Sequence, residues 1–272
     1  VPGARSAGSS IEQLQAVLRP LGRVVVAFSG GADSAFLARV AHDALGDDAL
    51  AVTAVSPSLP AAELDDCEAL AREWGLAWTT VETTELDDED YRRNDERRCF
   101  HCKDALMDAV VPLATARQAT VVLGVNLDDL GDHRPGQVAA ASRGARFPMV
   151  DAGLTKADIR AASRSLGLRT WDKPAAACLS SRIPYGTPVT IGVLRSVEDA
   201  ESALRRLGFR ALRVRHYGDL ARIEVPIDDL AAVLEAREEV VAGVRAAGYR
   251  YVTLDLEGLR SGNLNLALRP PD

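Results

Sequence analysis

The chain has 272 residues, 47% of them hydrophobic, which is enough for one large domain or two smaller ones with a substantial core. Its formal charge of −7 argues against a generic basic nucleic-acid surface, and no apolar run approaches the ~20 residues of a membrane helix. From residue 190 onward 12 Lys and Arg face 13 Asp and Glu, so the acidity lies in the first two thirds and arginine clusters further on can still hold an anion.

Residues 1–10 are small and polar, with no hydrophobic signal region, and read as a flexible arm. A cytoplasmic protein is expected, so Cys67, Cys99, Cys102 and Cys178 read as metal-binding or catalytic thiols before disulfides. Ile11 to Leu18 predicts a short amphipathic helix, stopped at Pro20 and Gly22. Val24 to Phe28 is apolar and mostly β-branched, as in a strand covered on both faces. Ser29-Gly30-Gly31-Ala32-Asp33-Ser34 then turns into a helix whose apolar positions include Phe36, Leu37, Val40 and Leu45. Backbone N–H groups in such a loop, with a helix dipole behind them, seat an anion, typically phosphate. The chain contains neither G-x-x-x-x-G-K-[ST] nor G-x-G-x-x-G, so the seat is not a Walker or a dinucleotide loop.

Leu50 to Val55 and Leu76 to Val81 predict further strands, with a helix from Pro60 through Glu73 between them. Residues 82–98 are polar and charged and read as a solvated loop. A helix follows from Ala105 to Ala116, interrupted near Pro112, then a strand from Thr120 to Leu123. After Gly124 comes a carboxylate-rich loop, Asn126 to Gly136, where aspartates either hold Mg²⁺ on nucleotide phosphates or cap a turn. Thr155 to Leu166 predicts a Thr-capped helix closed by Gly167. Trp171 to Gly186 has neither helical nor strand periodicity and reads as a functional connection. The alternation predicts an α/β fold with a doubly wound parallel sheet over residues 11–187, its ligand at the carboxyl ends of the strands. Residues 188–272 predict a smaller α+β domain: a helix from Ile191 to Leu207, strands at 212–216 and 221–225 around a Gly218-Asp219 turn, a strongly amphipathic helix from Leu230 to Val244, and a strand from Tyr249 to Leu254.

Cys99 and Cys102 form one C-x-x-C, which fits a redox pair, half a zinc site or part of an iron–sulfur site. Cys178, in the other motif-rich stretch, is the natural third ligand, whereas a zinc site would need a fourth and His101 inside the pair is awkwardly placed for it. Three thiolates on a [4Fe–4S] cluster leave one iron open to exogenous sulfide. Cys67 falls in a predicted helix and reads as a packed small hydrophobe. Arg213 and Arg215 alternate along one strand and share a face, suited to gripping an anion.

Ser-Gly-Gly-x-Asp-Ser after the first strand resembles the PP-loop of N-type ATP pyrophosphatases, which cleave ATP to AMP and pyrophosphate and adenylate a substrate. Together with Asp132-x-Arg-Pro-Gly136, Cys178-x-Ser-Ser-Arg-x-Pro-Tyr-Gly186, Arg213-Val-Arg215 and Arg260-Ser-Gly262, it makes nearly the whole chain resemble the LarE family. Those are the ATP-dependent sulfurtransferases of pyridinium-3,5-biscarboxylic acid mononucleotide, which help make the nickel-pincer cofactor of lactate racemase. The resemblance implies that ATP adenylates a substrate carboxylate and a sulfur nucleophile displaces AMP. The C-x-x-C implies the three-cysteine [4Fe–4S] branch, with Cys99, Cys102 and Cys178 on the cluster, rather than the branch in which a single cysteine is sacrificed. Further implied roles are Ser29, Gly30, Gly31, Asp33 and Ser34 on pyrophosphate and Mg²⁺, with Asp33 and Cys178 catalytic, and Ser56 and Gly124 at adenosine. Ser180, Ser181, Arg182, Arg213, Arg215 and Arg260 would meet the substrate, and Glu201 and Glu224 a second metal. The resemblance also implies a sulfide donor, no nucleic-acid or membrane partner, and a homo-oligomer, with a hexamer as its suggested form. The rival readings are a [4Fe–4S]-dependent PP-loop tRNA thiolase, which the net charge disfavours, an amide-forming enzyme, and a non-catalytic nucleotide-binding metal protein.

Overall fold

The computed structural model describes residues 6–131, 135–173 and 177–260. Expectations that fall on residues 1–5, 132–134, 174–176 and 261–272 lie outside the described residues. The chain forms two units, Val1–Glu85 with Cys99–Ala176, and Leu86–Arg98 with Ala177–Asp272.

In the first unit, in chain order, stand α1 (Ala7–Leu18), β1 (Val24–Ala27), α2 (Ala32–Leu45), β2 (Ala49–Val55), α3 (Ala61–Trp74) and β3 (Ala77–Glu82). The chain returns to this unit with α5 (Arg98–Ala116), after the short α4 (Glu89–Arg93), and continues through β4 (Thr120–Leu123), α6 (Pro135–Ser142), α7 (Pro148–Asp151) and α8 (Lys156–Ser165). The four strands are parallel in the order β3-β2-β1-β4. Strand order therefore reverses beside β1, and in open α/β sheets such a reversal is where ligands bind, at the carboxyl ends of the strands.

Period-two alternation divides the core between the faces of this sheet. Val24, Val26 and Phe28 pack with Leu14 and Leu18 of α1, Phe36 and Leu37 of α2, Leu70 of α3 and Ile159 of α8. Val25 packs with Leu50, Val52, Val121 and Leu123 against Met107 and Val110 of α5. Helices on both faces explain why β1 reads as an unbroken apolar run. Thr155 caps α8 in a reciprocal box with Asp158, as its sequence predicts.

The second unit holds α4, α9 (Ile191–Arg206), β5 (Arg213–Tyr217), β6 (Leu220–Glu224), α10 (Leu230–Glu235), α11 (Arg237–Ala246) and β7 (Tyr251–Leu254). β6 is the middle strand, antiparallel to β5 and parallel to β7. Val214, Ala221 and Ile223 of this sheet pack against Ala200 and Leu204 of α9 and Val240 and Val244 of α11.

Five local expectations change. Residues 7–10, expected within the arm, already form the first turn of α1. The helix expected at 105–116 begins at Arg98 and runs through Pro112, placing the C-x-x-C in its first turn. Proline leaves the carbonyl four residues back without an N–H, and that residue, Asp108, is exposed to water. The predicted helix over 230–244 breaks at Ala236, which lies outside helical dihedrals, into α10 and α11. The last strand starts at Tyr251, two residues late. Finally, 82–98 is not a solvated loop: it contains α4, and Glu85, Tyr91, Asn94 and Arg98 are buried.

Candidate functional site

The loop after β1 is held by its own serines. The Ser29 N–H donates to Ser34 Oγ at 3.2 Å, the two hydroxyls lie 3.1 Å apart, and Ser34 Oγ donates to the Gly31 carbonyl at 3.2 Å. Gly30 sits at φ +67°, a conformation that disfavours a side chain. Gly31 is the N-cap of α2, so the first-turn N–H groups of that helix face the loop without intrahelical partners. Asp33 stands in this first turn, with Lys156 Nζ 4.0 Å from its Oδ2. Helix dipole and open N–H groups together favour an anion such as phosphate.

Gly124, the first residue past β4, lies directly against the start of α2. A Cβ there would stand 2.9 Å from the Ser34 nitrogen and 3.1 Å from the Asp33 carbonyl carbon, so this close approach requires glycine. At the end of β2, Ser56 Oγ donates to the buried carboxylate of Glu85. The aspartates after Gly124 act as caps: Asp129 accepts the Asn126 N–H at 3.1 Å, and Asp128 accepts the Lys156 N–H at 2.6 Å. Asp129 thus caps its own turn, and Asp128 reaches the first N–H of α8.

Beneath the loop lies a charged floor. Lys173 Nζ donates to the Gly30 carbonyl at 3.2 Å, to Glu63 at 2.8 Å and to Asp66 at 2.7 Å. Arg169 pairs with Asp66 at 2.6 Å and Glu73 at 3.0 Å. Burial works against the Lys173 ammonium, but hydrogen bonds from it to Asp66 and Glu63 outweigh burial and hold its pKa above the ordinary value. Burial likewise opposes the Asp66 carboxylate, and the hydrogen bonds from Lys173 and Arg169 still hold it below the usual range. Cys67 backs onto Gly30 from the same helix, and burial pushes its thiol up to about 11, so it is a packed hydrophobe as its sequence context predicts.

Cys99 is exposed and Cys102 half-buried, three residues and so nearly one turn apart at the start of α5. Two accessible thiols on one helix face suit a shared metal or cluster. The backbone of Gly136 lies against this turn, where a Cβ would come within 2.8 Å of the Cys99 carbonyl oxygen. Cys178, half-buried, belongs to the second unit.

In the second unit a guanidinium cluster gathers on buried carboxylates. Arg182 donates through Nε to Glu201 at 2.8 Å, and Arg205 reaches the same carboxylate at 2.8 Å. The Val214 N–H completes that shell at 3.1 Å. Arg215, 3% exposed, pairs with Glu224 at 2.9 Å and donates to the Ser181 carbonyl at 2.6 Å, while Arg222 takes the other Glu224 oxygen at 3.2 Å. Glu201 and Glu224, expected as metal ligands, are therefore arginine counter-ions. Both are fully buried within hydrogen bonds to cations, and a donor set already satisfied in this way does not fit a divalent ion.

Arg213 differs from its neighbours. Its one hydrogen bond among the described residues goes to a neutral acceptor, the Arg260 carbonyl at 3.0 Å. Burial, and then the charges of Arg215 and Arg182, push its pKa down. Glu224 and Glu201 also act on it from farther off and offset this only in part. Ser180 is buried, with its hydroxyl 2.7 Å from that of Tyr91, and Ser181 Oγ donates to the Cys178 carbonyl at 2.7 Å. Arg260 pairs with Glu257.

Several functional supports escaped the sequence. Asn94, at φ 59°, donates to the carbonyls of Pro184 and Thr187 at 2.8 Å each and accepts from Arg98 at 2.6 Å, tying 86–98 to the 178–187 stretch. Nothing local announces that role. Glu63, Asp66 and Lys173 had a signal, because Glu63 and Asp66 continue the spacing of buried Cys67 and Leu70 on one face of α3. Acids on an otherwise apolar helix stripe need a buried cation.

Comparison with known proteins follows the same outline. Residues 12–105 match the NAD synthase family. The chain is 46% identical over 263 residues to an uncharacterized protein of Synechocystis sp., covering 96% of this chain and 98% of that protein. It is 39% identical over 254 residues to the pyridinium-3,5-bisthiocarboxylic acid mononucleotide synthase of Lactiplantibacillus plantarum, covering 93% and 92% of the two chains. An uncharacterized protein of Methanocaldococcus jannaschii is 27% identical over 240 residues, covering 88% and 91%.

Proposed function

The chain belongs to the LarE family of pyridinium-3,5-bisthiocarboxylic acid mononucleotide synthases, and on that premise we propose that it is an ATP-dependent sulfurtransferase acting on the carboxylates of pyridinium-3,5-biscarboxylic acid mononucleotide. The observation that carries this reading is the Ser29–Ser34 loop on the N-terminus of α2, where strand order reverses.

A carboxylate is a poor electrophile at neutral pH. Attack of its oxygen on the α-phosphorus of ATP breaks the bond to the bridging oxygen and releases pyrophosphate, leaving an acyl-adenylate. Ser29, Gly30, Gly31 and Ser34 hold the departing pyrophosphate, and the first-turn N–H groups of α2 stabilise its charge. Asp33 is the residue that would hold the Mg²⁺ accompanying the nucleotide, which would offset the charge developing on pyrophosphate. Ser56 and Gly124 border the adenosine. A sulfur nucleophile then attacks the acyl carbon, the carbon–oxygen bond to AMP breaks, and a thiocarboxylate remains. Arg213 takes the substrate phosphate, and Arg215 and Arg182, fixed by Glu224 and Glu201, shape its surroundings. Cys99, Cys102 and Cys178 are the residues that would hold a [4Fe–4S] cluster, which when bound supplies an iron open to exogenous sulfide.

The test is mass spectrometry on anaerobically prepared protein given ATP, Mg²⁺, sulfide and the pyridinium mononucleotide. A thiocarboxylate, with AMP and pyrophosphate released only when the mononucleotide is present, is expected. The intact protein mass should be unchanged; loss of one sulfur from the chain would make Cys178 the sacrificed donor. Absence of any thiocarboxylate from cluster-loaded protein would overturn the substrate assignment.

A further inference from the structure

The floor under the phosphate loop points to a residue that none of the roles above includes. Lys173 is five residues before Cys178 in sequence, yet its ammonium is spent on the loop after β1 and on α3. It is mostly buried, as are both of its carboxylate partners, with side-chain exposures of 19%, 25% and 23% for Lys173, Glu63 and Asp66. Two acids this close to an anion seat would repel a polyphosphate unless a cation stood between them and the loop. A surface salt bridge would not need such an arrangement.

The geometry of the Gly30–Gly31 peptide gives the lysine a second effect. In a trans peptide the carbonyl oxygen of one residue and the N–H of the next point in opposite directions. Lys173 draws the Gly30 oxygen down toward α3 at 3.2 Å. The Gly31 N–H is thereby turned up, to the side where an anion would lie. Gly30 itself can be pressed this close to α3 only because it lacks a Cβ, which would stand 2.9 Å from Cys67 Sγ and 3.8 Å from Lys173 Nζ. With φ at +67°, Gly30 has an accessible alternative in which the peptide flips and points its oxygen at the ligand.

We propose that Lys173 is a positioning residue of the phosphate loop: it fastens the Gly30 carbonyl so that the Gly31 N–H faces the pyrophosphate, and it screens Glu63 and Asp66 from that anion. The inference rests on the phosphate reading of the loop.

The experiment compares full-length wild type with Glu63→Gln/Asp66→Asn and with Lys173→Met/Glu63→Gln/Asp66→Asn. Calorimetry measures binding of inorganic pyrophosphate and of a non-hydrolysable ATP analogue with Mg²⁺, and thermal unfolding checks each fold. The triple variant leaves no buried unpaired charge at 63, 66 or 173, and it makes the floor one unit more positive than wild type. Electrostatics alone would therefore tighten its grip on anions. A positioning role predicts the reverse: binding weaker by about tenfold, the loss of one hydrogen bond to a charged donor, at an unfolding midpoint near that of wild type. The double variant, which keeps Lys173 on the carbonyl, should bind as well as wild type or better. Binding by the triple variant within twofold of wild type would overturn the proposal, as would a double variant as weak as the triple. Wild-type protein that binds neither ligand would instead remove the phosphate reading itself.

Discussion

Arg213 and Arg215 lie two residues apart on one strand and do different work. Arg215 is buried against Glu224, so Arg215→Met removes one of the cations paired with that fully buried carboxylate and should destabilise the protein by about 3 kcal/mol. Arg213 forms no direct ion pair with a described carboxylate, and its hydrogen bond goes to a carbonyl, so Arg213→Met should leave the unfolding midpoint within a degree or two and raise the KM for the mononucleotide strongly. Chemical denaturation beside steady-state kinetics separates the two; equal losses of stability would refute the distinction. Asp33→Ala, in the first turn of α2, should abolish pyrophosphate release, and unchanged product formation by that variant would sink the assignment of the loop. From sequence, Arg213 and Arg215 were visible as a pair with one job. Their difference depends on Glu224, nine residues beyond Arg215, which reaches only the inner of the two once the hairpin closes.

At the scale of elements, the site depends on backbones that meet closely. Gly124→Ala drives a Cβ into the start of α2, against backbone atoms that cannot rotate away. The expected cost is about 1–3 kcal/mol in stability, with a larger fall in ATP turnover, because the atoms displaced belong to the phosphate loop. A variant with wild-type turnover would show that α2 can shift freely. Asn94→Ala should cost about 2–3 kcal/mol by leaving the Pro184 and Thr187 carbonyls and Arg98 short of partners, as equilibrium unfolding in urea would show. The strands and long helices were legible in sequence because their periodicity is local. The 82–98 stretch was not, because its polar residues are satisfied by carbonyls some 90 positions away, and a charged run without such partners looks like solvated loop.

For the whole molecule, His216 and Asp66 are the described groups whose shifts bear on stability at acid to neutral pH. Burial lowers the pKa of His216, whose ring faces the Tyr249 hydroxyl at 3.2 Å. The unfolded chain takes up that proton from about pH 6.5 downward while the folded chain resists it, so stability should fall as pH drops below that point and stay flat above. Asp66 acts lower. Its folded pKa is depressed, so its contribution is present above the unfolded value of about 3.9 and disappears as pH falls through the folded one. Urea unfolding at intervals from about pH 3 to 8 should show both limbs; His216→Gln should flatten the upper and Asp66→Asn the lower. A His216→Gln variant that kept the upper slope would mean another group governs it.

The sequence by itself determined the parallel α/β core, the loop at its first strand and the resemblance of the chain to the LarE family. Each of these is written in local patterns: β-branched runs, glycines beside an Asp-Ser helix start, short motifs at fixed spacing. Only the tertiary structure decided which charges are free to act. Glu201 and Glu224 look like metal ligands in sequence and are held by arginines in the fold. Lys173 reads as part of the Cys178 stretch and donates to the Gly30 carbonyl, 143 positions earlier. A charged group's role is set by the partner it meets once water is removed, and chain separation carries no information about that partner.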